Sequence, residues 1–424
     1  MSIKSIFSLK SVTDFIYMFS SNIVKKGFGF LREIILASFF GNSFIYANFL
    51  FLKTVTDLFS QLTQGNALQT NLLSKFSKLY NKESLVSLES VFSFSKKMVL
   101  YLFLLSQIIQ LPIVWYLSPD NYILFIGLSV ILGIIMSVSF YSSIFLVVMQ
   151  AKGEFKTNSI ATTLEMFITT LFLYPLSLIF GVLGVVISKV IGKFTMYFRY
   201  IKPMFKEVNG MPVSFGVKDF NISILFLGNF SHIIILIAKF VAGLDGGDNI
   251  IFFNYSVVLL NVLLTAVILN LNTIVLRRLA IKKEMKLVFF SVFSALLLGL
   301  GLVFVINEYG LGIIQFIFER GAFNKSDTLA TFSYAKDLSI SFIFIFIASA
   351  LFQPFFSMNQ KLIRNESRLM ALILITAIAI LFISFHFSLT TARQNSIIMI
   401  YTLSLLSMLL AAFSSYKYFT TKTA

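Results

Sequence analysis

Residues 22–41 read NIVKKGFGFLREIILASFFG. The stretch is apolar enough for a membrane helix, yet it carries Lys25, Lys26, Arg32 and Glu33. A helix starting after the lysines, at Gly27, and ending at Gly41 would be only about 22 Å long, short of a hydrocarbon core of roughly 30 Å. The helix therefore starts near Asp14 and takes the lysines into the bilayer. Lys25 and Arg32 are separated by two turns, as are Lys26 and Glu33, so each pair lies close to one face. A charge costs on the order of 2.5–3.5 kcal/mol at the centre of a lipid-facing helix, so four are tolerable only towards protein or a wet cavity.

The rest of the chain has the same character. Of its 424 residues 58% are hydrophobic and 12% charged, with a mean hydropathy of +0.90. Soluble domains run near a quarter charged, so a water-soluble globular protein is excluded. The apolar runs are continuous, which selects helices over the alternating segments of a β-barrel. The fold class is an all-α polytopic membrane protein. Twelve spans are expected, at 13–36, 44–64, 97–117, 121–149, 158–178, 180–201, 221–242, 250–275, 286–307, 331–356, 367–387 and 396–416. With the N-terminus cytoplasmic, 23 Lys and Arg fall in inward segments, against Arg320, Lys325 and Arg393 outside. That asymmetry sets the orientation, with both termini cytoplasmic, and it accounts for the net charge of +16 without nucleic acid.

The absence of cysteine removes disulfides, thiolate nucleophiles and iron–sulfur sites. His232 and His386 are far apart in apolar runs and read as packing residues. No cofactor or metal is expected. No cleavable signal peptide is expected either, since the first apolar segment lacks a small-residue cleavage site. The inward segment 202–220 contains Pro203, Gly210, Pro212 and Gly216 and divides the spans six and six. This predicts an N-terminal lobe over 1–205 and a C-terminal lobe over 206–424, joined by a linker. The outward stretch GLGIIQFIFERGAF reads as a short interfacial helix ended by Gly321, and Trp115 with Tyr116 reads as an interfacial anchor.

In span two, Lys53, Asp57, Gln61 and Gln64 form one polar stripe at helical spacing, the pattern of a helix lining an aqueous passage. Spans one and two together hold Lys25, Lys26, Arg32 and Lys53 against Glu33 and Asp57. The surplus is positive and suits an anionic group such as a pyrophosphate. The structural alternative is snorkelling lysines with an Arg32–Glu33 network. Glu165 shares a face of span five with Thr162 and Thr169 and is placed to neutralise Lys189 or Lys193. Lys239 and the Lys336–Asp337 pair sit near helix ends, where snorkelling is expected. Asn254, Asn261, Asn270 and Asn272 in span eight read as interhelical glue. The only Gly-Lys pair, Gly192–Lys193, is followed by Phe194, so no phosphate loop exists. An ion gradient or the membrane potential is the expected energy source, with Glu33, Asp57 and Glu165 as coupling acids for H+ or Na+.

These residues resemble a family. KKGFGFLREIILASFFG is similar to the first-helix signature of the MurJ/MviN lipid II flippases, approximately S-R-x-L-G-F-x-R-D followed by an F-G turn. Lys26 falls on the family's first cavity arginine, Arg32 on its second and Glu33 on its aspartate; Gly29, Phe30, Phe40 and Gly41 also match. MQAKGEF (149–155) resembles the family's L-N-A-x-G-R-F, and FERGAFNKSDT (318–328) its F-x-R-G-A-F-x-x-x-D-T. The family's helix-two acid falls at Tyr46 or Ala47, its helix-two arginine at Phe59, its helix-two glutamate at Gln64 and its helix-eight arginine at Ser256. Lys53 and Lys25 stand as substitutes for the missing cations. Twelve spans, where lipid II flippases have two more, match the Wzx-type flippases.

The resemblance implies a two-lobed fold of the multidrug/oligosaccharidyl-lipid/polysaccharide (MOP) exporter superfamily. It implies passage of a polyprenyl-pyrophosphate-linked oligosaccharide across the bacterial cytoplasmic membrane by alternating access, with Lys26 and Arg32 holding the pyrophosphate. A monomeric secondary transporter is expected, not an enzyme. A drug or metabolite antiporter of the same superfamily is the alternative. An integral membrane glycosyltransferase or polymerase is a further one, opposed by the short outer loops GNS and SPD; its one acidic candidate, the turn LDGGD (244–248), reads rather as a Gly-rich turn.

Overall fold

The computed structural model describes residues 9–63, 86–117, 121–206, 215–245, 247–264, 286–352 and 360–423, with 68, 72–73, 75–76, 80, 211–212 and 268. Among them are thirteen α-helices. In chain order these are α1 (Leu9–Phe40), α2 (Phe44–Thr63), α3 (Glu89–Leu117), α4 (Tyr122–Ala151), α5 (Phe155–Phe180), α6 (Val182–Met196), α7 (Ile222–Gly228) and α8 (Phe230–Ala242). They continue with α9 (Asn249–Leu263), α10 (Lys286–Phe318), α11 (Lys325–Leu351), α12 (Gln360–His386) and α13 (Ala392–Thr423).

Each of the twelve expected spans carries a helix, and the seventh is built from two, α7 and α8, bent by 69° at Gly228–Asn229. By length and composition, α3, α4, α5, α10, α11, α12 and α13 are each able to cross a membrane, and the bent pair makes an eighth. The protein is a multi-pass membrane protein. In α1 and α2 the charges break the apolar pattern. The fifteen residues of α6 run on through a π-helical turn, Tyr197–Ile201, and a 3-10 turn, Lys202–Lys206. The second half of the eighth expected span, with Asn270 and Asn272, lies outside the described residues.

The chain divides into two compact units, residues 1–35 with 59–221, and residues 36–58 with 222–424. In the first unit, α5 packs along α6, and α4 packs against α3 and α6. The centre of this unit is α4, whose buried faces include Phe125, Leu132, Phe140 and Phe145. Its serines stay compatible with an apolar interior because their hydroxyls bond one turn back, as Ser137 does to the Gly133 carbonyl at 2.9 Å. The segment expected as a linker has structure of its own within this unit. Met211–Pro212 pairs in parallel with Val86–Ser87, and Asp219 takes a 2.6 Å ion pair from Lys75. Phe215 and Phe220 pack on Phe94.

In the second unit, α10 lies along α11, while α13 packs on α11 and α8 and α9 packs on α11. Two expectations are corrected here. Residues 308–318 are not a separate interfacial helix: α10 runs unbroken to Phe318, and Gly310 lets the ring of Phe332 approach it closely. Lys239 does not snorkel. It is 5% exposed and donates a 2.6 Å hydrogen bond to the Asn254 side-chain oxygen, because α8 and α9 pack over it.

Two of the quoted motifs meet in this unit as one backbone contact. Ala322 N–H donates to the Ser38 carbonyl at 2.8 Å. A Cβ on Gly321 would lie 2.3 Å from that carbonyl oxygen, and one on Gly41 would lie 2.3 Å from the Ala322 oxygen. Both glycines have positive φ, +60° and +49°, a conformation side chains disfavour. Beside this lock Phe40 stacks on the buried Tyr46 at 5.1 Å, and Tyr255, Phe318 and Phe323 form an aromatic cluster.

Candidate functional site

Within the first unit, α1 meets α5 along a face repeating at helical spacing. Ser21, Lys25 and Phe28 on α1 oppose Ser159, Thr162, Thr163, Phe167 and Thr170 on α5. The Ser21 hydroxyl donates to the Ser159 carbonyl at 3.0 Å and lies 2.7 Å from the Thr163 hydroxyl. Lys25 donates to the Thr162 hydroxyl at 3.2 Å. The Phe28 ring contacts Phe167 edge-on at 5.5 Å. Thr162 in turn bonds back to carbonyls of its own helix, so its oxygen is free to accept from the lysine.

The charged groups sort into pairs and a remainder. Arg32 Nη2 pairs with its neighbour Glu33 at 2.7 Å, both mostly buried. Lys193 on α6 pairs with Glu165 on α5 at 2.8 Å, with side chains 15% and 14% exposed. Glu165 is one turn from Thr162 and close enough to act electrostatically on Lys25. Of the two lysines expected to neutralise Glu165, Lys193 makes the contact, which gives Gly192–Lys193 a packing role. Lys25 is half-buried and Lys26 exposed. Among the described residues neither has a carboxylate at ion-pair distance.

In the second unit, Lys53 pairs with Asp57 at 2.5 Å, one turn apart on α2. Gln61, two turns beyond Lys53, belongs to the first unit and is half-buried. Gln64 lies outside the described residues. After Arg32–Glu33 and Lys53–Asp57 are paired, the positive surplus read from spans one and two resides on Lys25 and Lys26.

Sequence reasoning missed Thr162 as the acceptor for Lys25 and the Ser21–Thr163 contact. The spacing of Ser159, Thr162, Thr163, Thr169 and Thr170 along α5 was the available signal. It also missed the buried Lys239–Asn254 contact and a polar group on α11. There, Arg393 donates to Asp337 Oδ2 and to the Ser333 hydroxyl, each at 2.7 Å, and lies over the Tyr334 ring at 5.0 Å. The family positions at Tyr46 and Ser256 are buried packing residues here, and the Ser256 hydroxyl donates to the Thr331 carbonyl at 2.8 Å. In the turn LDGGD, Asp245 accepts from Gly247 N–H and from the Asn249 side chain. Burial, then Asp327 and Asp245 nearby, pushes the Asp248 carboxyl above the usual carboxylate range. Among the described residues no group of His, Asp and Glu is arranged to hold a metal ion.

Searches of the sequence find no matching family model and no matching curated protein. Solved structures do match over nearly the whole chain. A lipid II flippase, MurJ, in an inward closed conformation superposes with a TM-score of 0.67 at 18% identity, covering 95% of this chain and 87% of that one. The chain has the MOP exporter fold. A mutant of the Vibrio cholerae MATE transporter VcmN matches with a TM-score of 0.61 at 12% identity, covering 97% of both chains. An inward-facing multidrug resistance MATE transporter of the MOP superfamily matches at 0.57 and 13% identity, covering 95% of both. At these identities the likeness concerns the fold. It agrees with the all-α, multi-pass architecture expected from the sequence.

Proposed function

We propose that this protein is a secondary transporter that flips a polyprenyl-pyrophosphate-linked oligosaccharide, a lipid II-like unit or a polysaccharide repeat unit, across the bacterial cytoplasmic membrane. The observation that carries this reading is the remainder of the charge account. Lys25 and Lys26 are adjacent on a membrane helix, and among the described residues neither has an acidic partner within ion-pair distance. An ammonium at bilayer depth gains most from an anionic partner brought by the substrate. Lys25 also has a polar seat, Thr162, that holds it in place without neutralising it. The MurJ likeness supports the reading, since that protein is a lipid II flippase with this fold.

In this reading Lys25, Lys26 and Arg32 contact the pyrophosphate, with Lys53, Gln61 and Gln64 lining the route. The lobes 1–205 and 206–424 alternate in access, and both termini face the cytoplasm. The coupling acids Glu33, Asp57 and Glu165 are each held by a cation: Arg32, Lys53 and Lys193 respectively. Protonating one of them releases its cation, which links H+ uptake to the charge offered to the substrate. Na+ in place of H+ would act through the same acids.

Depleting the protein and identifying the lipid-linked sugar left on the inner leaflet tests this directly. Accumulation of one such glycolipid is expected, and the absence of any sinks the flippase reading. The fold is equally that of the MATE transporters, so a drug or metabolite antiporter is the second reading. It predicts unchanged glycolipids on depletion, together with increased sensitivity to a cationic compound.

A further inference from the structure

A cavity of about 600 Å3 lies in the second unit between α10, α11 and the start of α13. Its lining includes Asn307, Lys336, Thr390 and Gln394 on one side and Ile340 and Ile398 on the other. The volume is in the range of ordinary ligand sites, roughly 300–1,000 Å3. Because the α12–α13 turn contributes Thr390, the cavity sits at the end of the bundle that the loop charges assign to the outside. Along α11 and α13, Ile340 is one turn deeper than Lys336, and Ile398 one turn deeper than Gln394. The lining is therefore mostly polar towards the outer end, Leu389 apart, and mostly apolar deeper in, Ser339 apart.

The charges within it are unequal in their partners. Asp337 is held by Arg393 at 2.7 Å. Lys336, adjacent in sequence and exposed, has no ion-pair partner among the described residues. The Gln394 side-chain oxygen accepts from Thr391 N–H at 3.1 Å, which leaves its amide NH2 as a donor. An unpaired ammonium with a neighbouring amide donor, above an apolar floor, is the recognition pattern for an anionic phosphate carried on hydrocarbon.

We propose that this cavity binds a phosphate-headed lipid of the outer leaflet, with Lys336 and Gln394 on the phosphate and Ile340 and Ile398 along the chains. The chemistry is shared by a bulk anionic phospholipid and by the phosphate end of a polyprenyl carrier. The site is distinct from Lys25 and Lys26, and it stands whether the protein flips glycolipids or exports drugs.

The test is native mass spectrometry of the purified full chain from detergent supplemented with phosphatidylglycerol or phosphatidylcholine. At least tenfold preferential retention of phosphatidylglycerol is expected. Lys336→Gln should reduce that retention at least fivefold, and Gln394→Leu should reduce it to a smaller extent. Lys325→Gln, an outer basic residue away from the cavity lining, should leave it unchanged. Equal retention by Lys336→Gln and the unaltered protein, in samples with the same thermal stability, overturns the proposal. So does displacement of the lipid by inorganic phosphate at the lipid's own concentration, since the apolar floor would then contribute nothing. Competition with a polyprenyl pyrophosphate separates the two lipid sources: displacement marks a carrier site, and persistence of phosphatidylglycerol marks a phospholipid site.

Discussion

Residues 21–33 of α1 use hydroxyls and charges, whereas residues 38–41 at its other end meet the 320–322 turn through backbone alone. Both regions belong to the same family-like signature. In the first, Ser21 and Lys25 bond to α5, Arg32 pairs with Glu33, and Lys26 has no ion-pair partner among the described residues. In the second, a single hydrogen bond and two glycines at positive φ close a corner with no room for a Cβ. A motif of this kind therefore mixes residues that make polar contacts with residues that set the backbone shape. MQAKGEF belongs to the second kind. It ends α4, and the N–H groups of Lys152 and Glu154 return to the carbonyls of Val148 and Met149.

The comparison is broken most severely at the corner. Gly321→Val drives a branched side chain into the Ser38 carbonyl at positive φ, with an expected loss of about 3–5 kcal/mol. Thermal unfolding in detergent should show it, while Gly301→Ala, which meets nothing within 4 Å, should melt close to the parent. If Gly321→Val melts with the parent too, the corner is not a lock. Next in size is the Glu165–Lys193 pair. Lys193→Met strands a mostly buried carboxylate at about 3 kcal/mol, and Glu165→Met added to it should recover most of that loss. A double-mutant cycle with no coupling would show the pair to be incidental.

The chemical region should respond differently. Lys26→Ala removes an exposed, unpaired charge, so melting should be unchanged while glycolipid flipping in vesicles falls at least tenfold, about 1.4 kcal/mol in barrier. Normal flipping would return Lys26 to a structural or topological role. Arg32→Ala should lose both activity and stability, because it also removes the cation paired with the mostly buried Glu33. The smallest effect belongs to Asp248. Its folded pKa is raised, so the folded state holds the proton more tightly, and the burial penalty appears as pH climbs past the ordinary carboxylate value. Asp248→Asn should slightly flatten the fall in melting temperature as pH rises above the ordinary carboxylate value. An unchanged slope would assign that fall to other groups.

The sequence made the helices legible because each span is bounded by loops whose charges alternate with topology. It made Lys53–Asp57 legible because both ends of the contact lie on one helix. The Glu165–Lys193 pair was visible as a short choice between two lysines on the next span. The seat of Lys25 was not, since a threonine on α5 becomes a partner only once two distant helices are adjacent. For the same reason Gly41 and Gly321 read as turn residues rather than as two halves of one contact. The expected span ended at residue 307, and the outward stretch beginning at Gly310 read as a separate helix. Instead α10 runs through, with Gly310 packed under Phe332. Lys239 was misjudged because distance from a helix end says nothing about which neighbours cover the side chain.

The bend at Gly228–Asn229 has a mechanical meaning. The two parts of that span have different allegiances: α7 leans on α12, while α8 is gripped by α13 and α9. A straight rod would transmit any sliding between those neighbours along its full length. A knee confines it to a couple of backbone torsions, where the ladder is already relaxed to a 3.3 Å contact from Asn229 N–H to the Phe226 carbonyl. The short arm is thus free to follow one neighbour while the longer arm keeps station with the other. Amides at the knee should exchange with deuterium ahead of those in either arm.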